Sequence, residues 1–152
     1  MKSIIAFTAF FLLATTSKSQ EINPNYDSTL AKSLGADDYG MKMYVLVILK
    51  SGSNTTENKA TTDSLFRGHM SNILRLVDLK KLIVAGPIAK NDKDYRGIFI
   101  LDTSNLEEAN KLLDTDPAIS AKLLAVELYQ WYGSAALAQY LKENEKIWKL
   151  KH

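Results

Sequence analysis

The sequence has 152 residues, 46% of them apolar and 24% charged, with 7 glycines and 3 prolines, which is the composition of an ordinary folded protein rather than a disordered or fibrous one. The absence of cysteine excludes a disulfide framework, a thiol nucleophile and a cysteine-ligated metal, and the two histidines, His69 and His152, leave little for any other metal site. The formal charge is +2, and Lys2 and Lys18 of a leader segment account for the surplus, so the rest of the chain is neutral and has no basic stripe for nucleic acid.

Residues 1–19 read as a secretory signal peptide. Met1-Lys2-Ser3 gives the positive start, residues 4–14 an apolar run softened only by Thr8, and Ser17-Lys18-Ser19 the small residues a peptidase needs. The run is shorter than the roughly 20 residues of a membrane-spanning helix. The expectation is cleavage before Gln20 and export to a periplasm or the medium, with no membrane insertion after cleavage. Residues 20–42 are polar, interrupted by Pro24, Gly35 and Gly40, and read as an N-terminal arm.

Residues 43–49 form an unbroken apolar run rich in β-formers and predict a buried strand. From Thr61 the period changes: Phe66, Met70, Ile73, Leu74 and Val77 predict a helix to about Lys81 with those side chains on its inner face. A strand follows over 82–85, and Gly86-Pro87 either ends it or marks an edge, because proline cannot donate to a ladder. After a charged turn at 90–94, residues 95–101 give a third strand. Thr103 or Ser104 can cap the next helix, with Leu106, Ala109, Leu112 and Leu113 inward. Asp116 can cap a short helix that has Pro117 in its first turn. Residues 123–132 predict a fourth strand, and 135–149 a final helix after Gly133-Ser134.

Strand, helix, strand, strand, helix, strand is the ferredoxin-like split βαβ order, an α+β fold with an antiparallel sheet and both helices on one face. The first strand is apolar at both parities: Tyr44, Leu46 and Ile48 alternate with Met43, Val45, Val47 and Leu49. Both faces therefore need cover. The last helix reads as too polar to supply it alone, so the expectation is a homodimer in which two sheets face each other over the ~1,600 Å² usual for stable interfaces. The alternative cover is the arm at 20–42.

Two side chains carry candidate chemistry. His69 lies within the apolar stripe of the first helix and takes or gives a proton near neutral pH. Asp116 stands at a helix start, where the first-turn amides favour its charged form, and a carboxylate there can orient a histidine that reaches it. The plainer readings are a satisfied half-buried histidine and a simple N-cap, and spacing does not decide whether the two meet. Arg96 and Lys42, at strand starts, can hold an anion. Glu127 can line a cavity or sit at a rim. Tyr129, Trp131 and Tyr132 can wall a pocket or fill the core. Asp114 and Asp116 lack a third ligand for a metal.

Gly68-His69-Met70 on the first helix, Leu82-Ile83-Val84-Ala85-Gly86-Pro87 after it, and Asp116-Pro117 after the second helix occur in an order and spacing that resembles the YCII-related (YciI-like) proteins over residues 43–132. The resemblance implies a dimeric α+β barrel and an active-site pair at His69 and Asp116. The signal peptide, the arm and the extension at 133–152 depart from the small family members and look like features of an exported branch. The family has no common assigned reaction, and the leading expectation from His69 and Asp116 is acid–base chemistry of isomerase or lyase type on a small molecule, with no cofactor and no metal. The competing readings are a non-catalytic dimeric module that binds a small ligand, and an oxygenase of the same barrel superfamily, with or without haem.

Overall fold

In the computed structural model, which describes residues 22–56 and 58–149, two periodicities in the sequence set the frame. The signal peptide read over 1–19 and His152 lie outside the described residues. Helix α1 (Ser28–Leu34) precedes strand β1 (Met41–Ser51), and helix α2 (Lys59–Asp78) leads from it to the hairpin of β2 (Leu82–Pro87) and β3 (Tyr95–Leu101). Helix α3 (Leu106–Leu113) and the single turn α4 (Pro117–Ser120) lead to β4 (Leu124–Ser134), then to a 3₁₀ segment, Ala135–Tyr140, and α5 (Leu141–Ile147). The four strands pair antiparallel in the order β2-β3-β1-β4, the expected ferredoxin-like topology. No helix among the described residues is long and apolar enough to cross a membrane.

Strand alternation sorts the central residues onto two faces. Val45, Val47 and Leu49 of β1 turn toward the helices and pack with Phe99, Leu101, Leu76, Leu82, Ala109 and Leu113. Each fully buried side chain of this size contributes about 1.5–3 kcal/mol relative to exposure. On the opposite face Tyr44, Ile83 and Ile100 form a second cluster, and Leu137 and Ala138 of the 3₁₀ segment pack against it. The Tyr140 hydroxyl donates to the Ile83 carbonyl, and Tyr44 Oη donates to the Ser134 carbonyl at 2.7 Å.

The segment before β1 contains α1, capped by Asp27 at one end and by Gly35 at φ 70° at the other. Three expectations are corrected. The cap of α3 is Asn105, whose side chain accepts from the Glu107 and Glu108 amides, not Thr103 or Ser104. The C-terminal segment is not one helix: its first six residues form the 3₁₀ segment, whose Leu137 and Ala138 cover part of the sheet face, while the charged residues start only at Lys142. The inward face of α2 is centred on His69, Asn72 and Leu76, with Ile73 and Val77 beside them. Phe66, Met70 and Leu74, expected inside, are 36%, 43% and 41% exposed. The helix is rotated from its apolar stripe because His69 and Asn72 find a buried acidic partner.

Candidate active site

That partner is Asp116. The chain leaves α3 in a tight turn, and Asp116 caps α4 with Pro117 at the first helical position, as the sequence predicts. One carboxylate oxygen, Oδ1, accepts from the Ala118 amide at 2.9 Å and the Ile119 amide at 3.4 Å. This bonding leaves Oδ2 aimed at α2, where it lies 2.7 Å from His69 Nδ1 and 3.3 Å from Asn72 Nδ2. Asp116 is fully buried and His69 is 8% exposed. Burial on its own would raise the Asp116 carboxyl, but the bond to His69, the histidine charge, the Ala118 amide and Asn72 together hold it below the ordinary carboxylate value.

The His69 ring lies stacked over Phe99 of β3, with centroids 5.8 Å apart and planes at 19°. Phe66, one turn earlier on α2, meets it edge-on at 6.2 Å. An ionised carboxylate only accepts, so Nδ1 carries a hydrogen, and in the neutral form of the ring the lone pair is on Nε2. Every buried side-chain nitrogen and oxygen among the described residues has a partner, and Nε2 has none, so it is the ring atom that solvent or a ligand can reach. A histidine held in this way can accept a proton at Nε2 while Asp116 stabilises the imidazolium that forms.

Three residues of this site were missed by the sequence reading. Asn72 is buried, and its Oδ1 accepts from Arg75 Nε at 3.2 Å and Nη2 at 2.8 Å. Arg75 Nη2 also donates to Thr115 Oγ1 at 2.6 Å. The signal available was the spacing: His69, Asn72 and Arg75 recur every three residues along one side of α2.

The other candidates are not brought to the pair. Lys42 forms an ion pair with Asp102 at 2.7 Å and lies over the Tyr44 ring. Glu127 bonds Lys50 at 2.8 Å and accepts from Tyr129 Oη at 3.1 Å. Lys50 holds the Glu127 carboxyl below its usual value, with Tyr129 acting in the same sense. Arg96 is exposed and lines a groove at the β2–β3 hairpin with Lys90, Asn91 and Tyr95. The aromatic cluster is split by strand parity: Tyr129 and Trp131 stand opposite Leu46 and Tyr44, while Tyr132 points to the other face and donates to Asp37. Among the described residues no three His, Cys, Asp or Glu side chains are grouped as metal ligands.

No family model matches the chain, and no curated protein matches it. Among solved structures it is similar to the 5-chloro-2-hydroxyhydroquinone dehydrochlorinase TftG of Burkholderia phenoliruptrix AC1100, determined in complex with 2,5-dihydroxybenzoquinone. The two share 21% identity over 57% of this chain and 92% of that one, with a TM-score of 0.41.

Proposed function

We propose that this is an exported protein of the YCII-related type that performs cofactor-free acid–base chemistry on a small molecule, with His69 as the proton carrier and Asp116 as its orienting partner. The observation that carries the reading is the buried 2.7 Å bond between His69 Nδ1 and Asp116 Oδ2, which leaves Nε2 without a partner among the described residues. In the reaction Nε2 takes a proton from a carbon or hydroxyl next to a carbonyl or phenol. The imidazolium is stabilised by Asp116 and returns the proton to a second atom or to a departing group, giving isomerisation or elimination with no net change in the protein. Such a group contributes about 10²–10⁴-fold to a rate. The burial of His69 and Asp116 strengthens the interaction of the imidazole with the carboxylate.

The test is deuterium incorporation from D₂O into a panel of small enolisable acids and phenols. His69→Ala and Asp116→Asn are expected to stay folded and to lose exchange or turnover. Equal activity in both variants would overturn the reading. The protein acts in this proposal as a homodimer through the part of the sheet face around Ile48 and Ile98, which the 3₁₀ segment leaves half-buried. Light scattering at micromolar concentration is expected to give the dimer mass.

A second reading, a binding module without catalysis, is favoured by the hairpin groove of about 420 Å³, where Lys90 and Arg96 can hold an anionic ligand. Under it, His69→Ala leaves ligand binding intact and Arg96→Ala weakens it.

A further inference from the structure

The side-chain amide of Asn72 is fixed at both ends by groups with a single hydrogen-bonding sense. Its Oδ1 faces the Arg75 guanidinium, which only donates, and its Nδ2 faces the Asp116 carboxylate, which only accepts. Turning the amide over would break all three bonds and set Oδ1 against Oδ2. Arg75 is fixed in turn, since Nη2 also donates to Thr115 Oγ1 in the residue just before Asp116. Thr115 Oγ1 lies 3.1 Å from Asn72 Oδ1 and 2.6 Å from the Leu112 carbonyl, so the clamp joins α2 to the end of α3 and the start of α4.

We propose that Asn72, held by Arg75, is the positioning residue of the His69–Asp116 pair. Two amides already occupy Oδ1 of the carboxylate, and the Asn72 N–H occupies one side of Oδ2, which leaves the remaining lone-pair direction for His69 Nδ1. The carboxylate cannot swing to present another edge. A free neutral imidazole prefers its hydrogen on Nε2, so the opposite tautomer has to be imposed by an acceptor fixed at Nδ1. Asn72 fixes that acceptor, and the guanidinium on its carbonyl polarises the amide and strengthens the N–H as a donor. The assignment rests on the acid–base reading for its effect on turnover, because only a free Nε2 can act as the base.

The experiment uses the full chain carrying His152→Gln, so that His69 is the single histidine. Nitrogen-15 ring shifts report the tautomer, and acylation by diethyl pyrocarbonate reports the reactivity of Nε2. The parent is expected to hold the hydrogen on Nδ1. Asn72→Leu, of nearly the same shape but without a donor, is expected to become a mixture of tautomers with slower acylation. Arg75→Met is expected to shift the same way to a smaller degree, and Arg75→Lys to restore most of the parent pattern. A folded Asn72→Leu that keeps the Nδ1–H tautomer overturns the positioning role and leaves the pair standing. A parent protein with its hydrogen on Nε2 overturns the acid–base reading itself. If circular dichroism shows Asn72→Leu unfolded, Arg75→Met decides, because its side chain is exposed and its loss is tolerated by the core: an unchanged tautomer there overturns the proposal.

Discussion

Gly68 of α2 and Pro117 of α4 are in contact where the two helices cross, so close that a β-carbon on Gly68 would stand 2.8 Å from Pro117 Cγ. These residues are the chain neighbours of His69 and Asp116. The approach that brings the imidazole to the carboxylate therefore depends on a missing side chain.

Gly68→Ala sets two effects against each other. Alanine in a helix interior ordinarily gains about 0.5–1 kcal/mol over glycine. The ring of Pro117 cannot move aside like the end of a long side chain, and overpacking of this kind costs about 1–3 kcal/mol. The expected outcome in urea unfolding is a net loss of stability, together with loss of the His69–Asp116 bond. A variant more stable than its parent, with the parent tautomer, would show that α4 yields freely.

Acid is expected to weaken the fold through Asp116. Its folded carboxyl is held below the unfolded value of about 3.9, so the stability it contributes is fully present above that value and is lost as pH falls through the folded one. Asp116→Asn keeps a good N-cap but removes the titrating group. Stability plotted against pH should therefore fall more steeply in the parent than in Asp116→Asn once the pH drops below about 4. Parallel curves would mean that the carboxylate is not stabilised in the folded state.

Removal of the chain after Ser134 strips the cover from Tyr44, Ile83 and Ile100. Exposed apolar patches of this kind bind hydrophobic dyes and self-associate. The shortened protein is expected to bind such a dye strongly and to elute as larger species. Leu137→Ala is the milder version, expected to cost roughly 1–3 kcal/mol, toward the low end for a buried leucine because its side chain is only half-buried.

The arm is fastened to β4 by a bond from the Tyr132 hydroxyl to the Asp37 carboxylate. That bond, helped by desolvation and the Asp37 charge, pushes the Tyr132 phenol up to about 12. Its contribution is whole below the unfolded tyrosine value of about 10 and disappears as pH rises through the folded value. Asp37→Asn should bring the last tyrosine step in an ultraviolet titration down toward the ordinary value. A step that stays in place would show that Tyr132 is not held by Asp37.

The strands were legible in the sequence because runs such as Val45–Leu49 and Ile98–Leu101 combine β-branched and large apolar residues between turn signals. The Asp116 cap was equally plain, since Asp-Pro at a helix start has a local cause. Helix α1 was not, because it buries no side chain and is fixed by its caps. The facing of α2 was read correctly for His69 but not for its neighbours: Phe66, Met70 and Leu74 offer an apolar stripe, while the polar Asn72 turns inward beside His69 toward a residue that spacing cannot place. Arg75 and Thr115 look solvated in any one-dimensional reading until the Asn72 carbonyl between them is seen.

His69 and Asp116 are separated by 47 positions in the chain. Neither a preformed α2 nor an early β1–β3 pairing can assemble them; they meet only when the second half of the βαββαβ unit closes onto the first, and the entropy of that long loop has to be overcome first. A single imidazole thus keeps time for refolding: in a stopped-flow experiment its protonation pattern should become native together with the last long-range step, after most of the helix signal has returned.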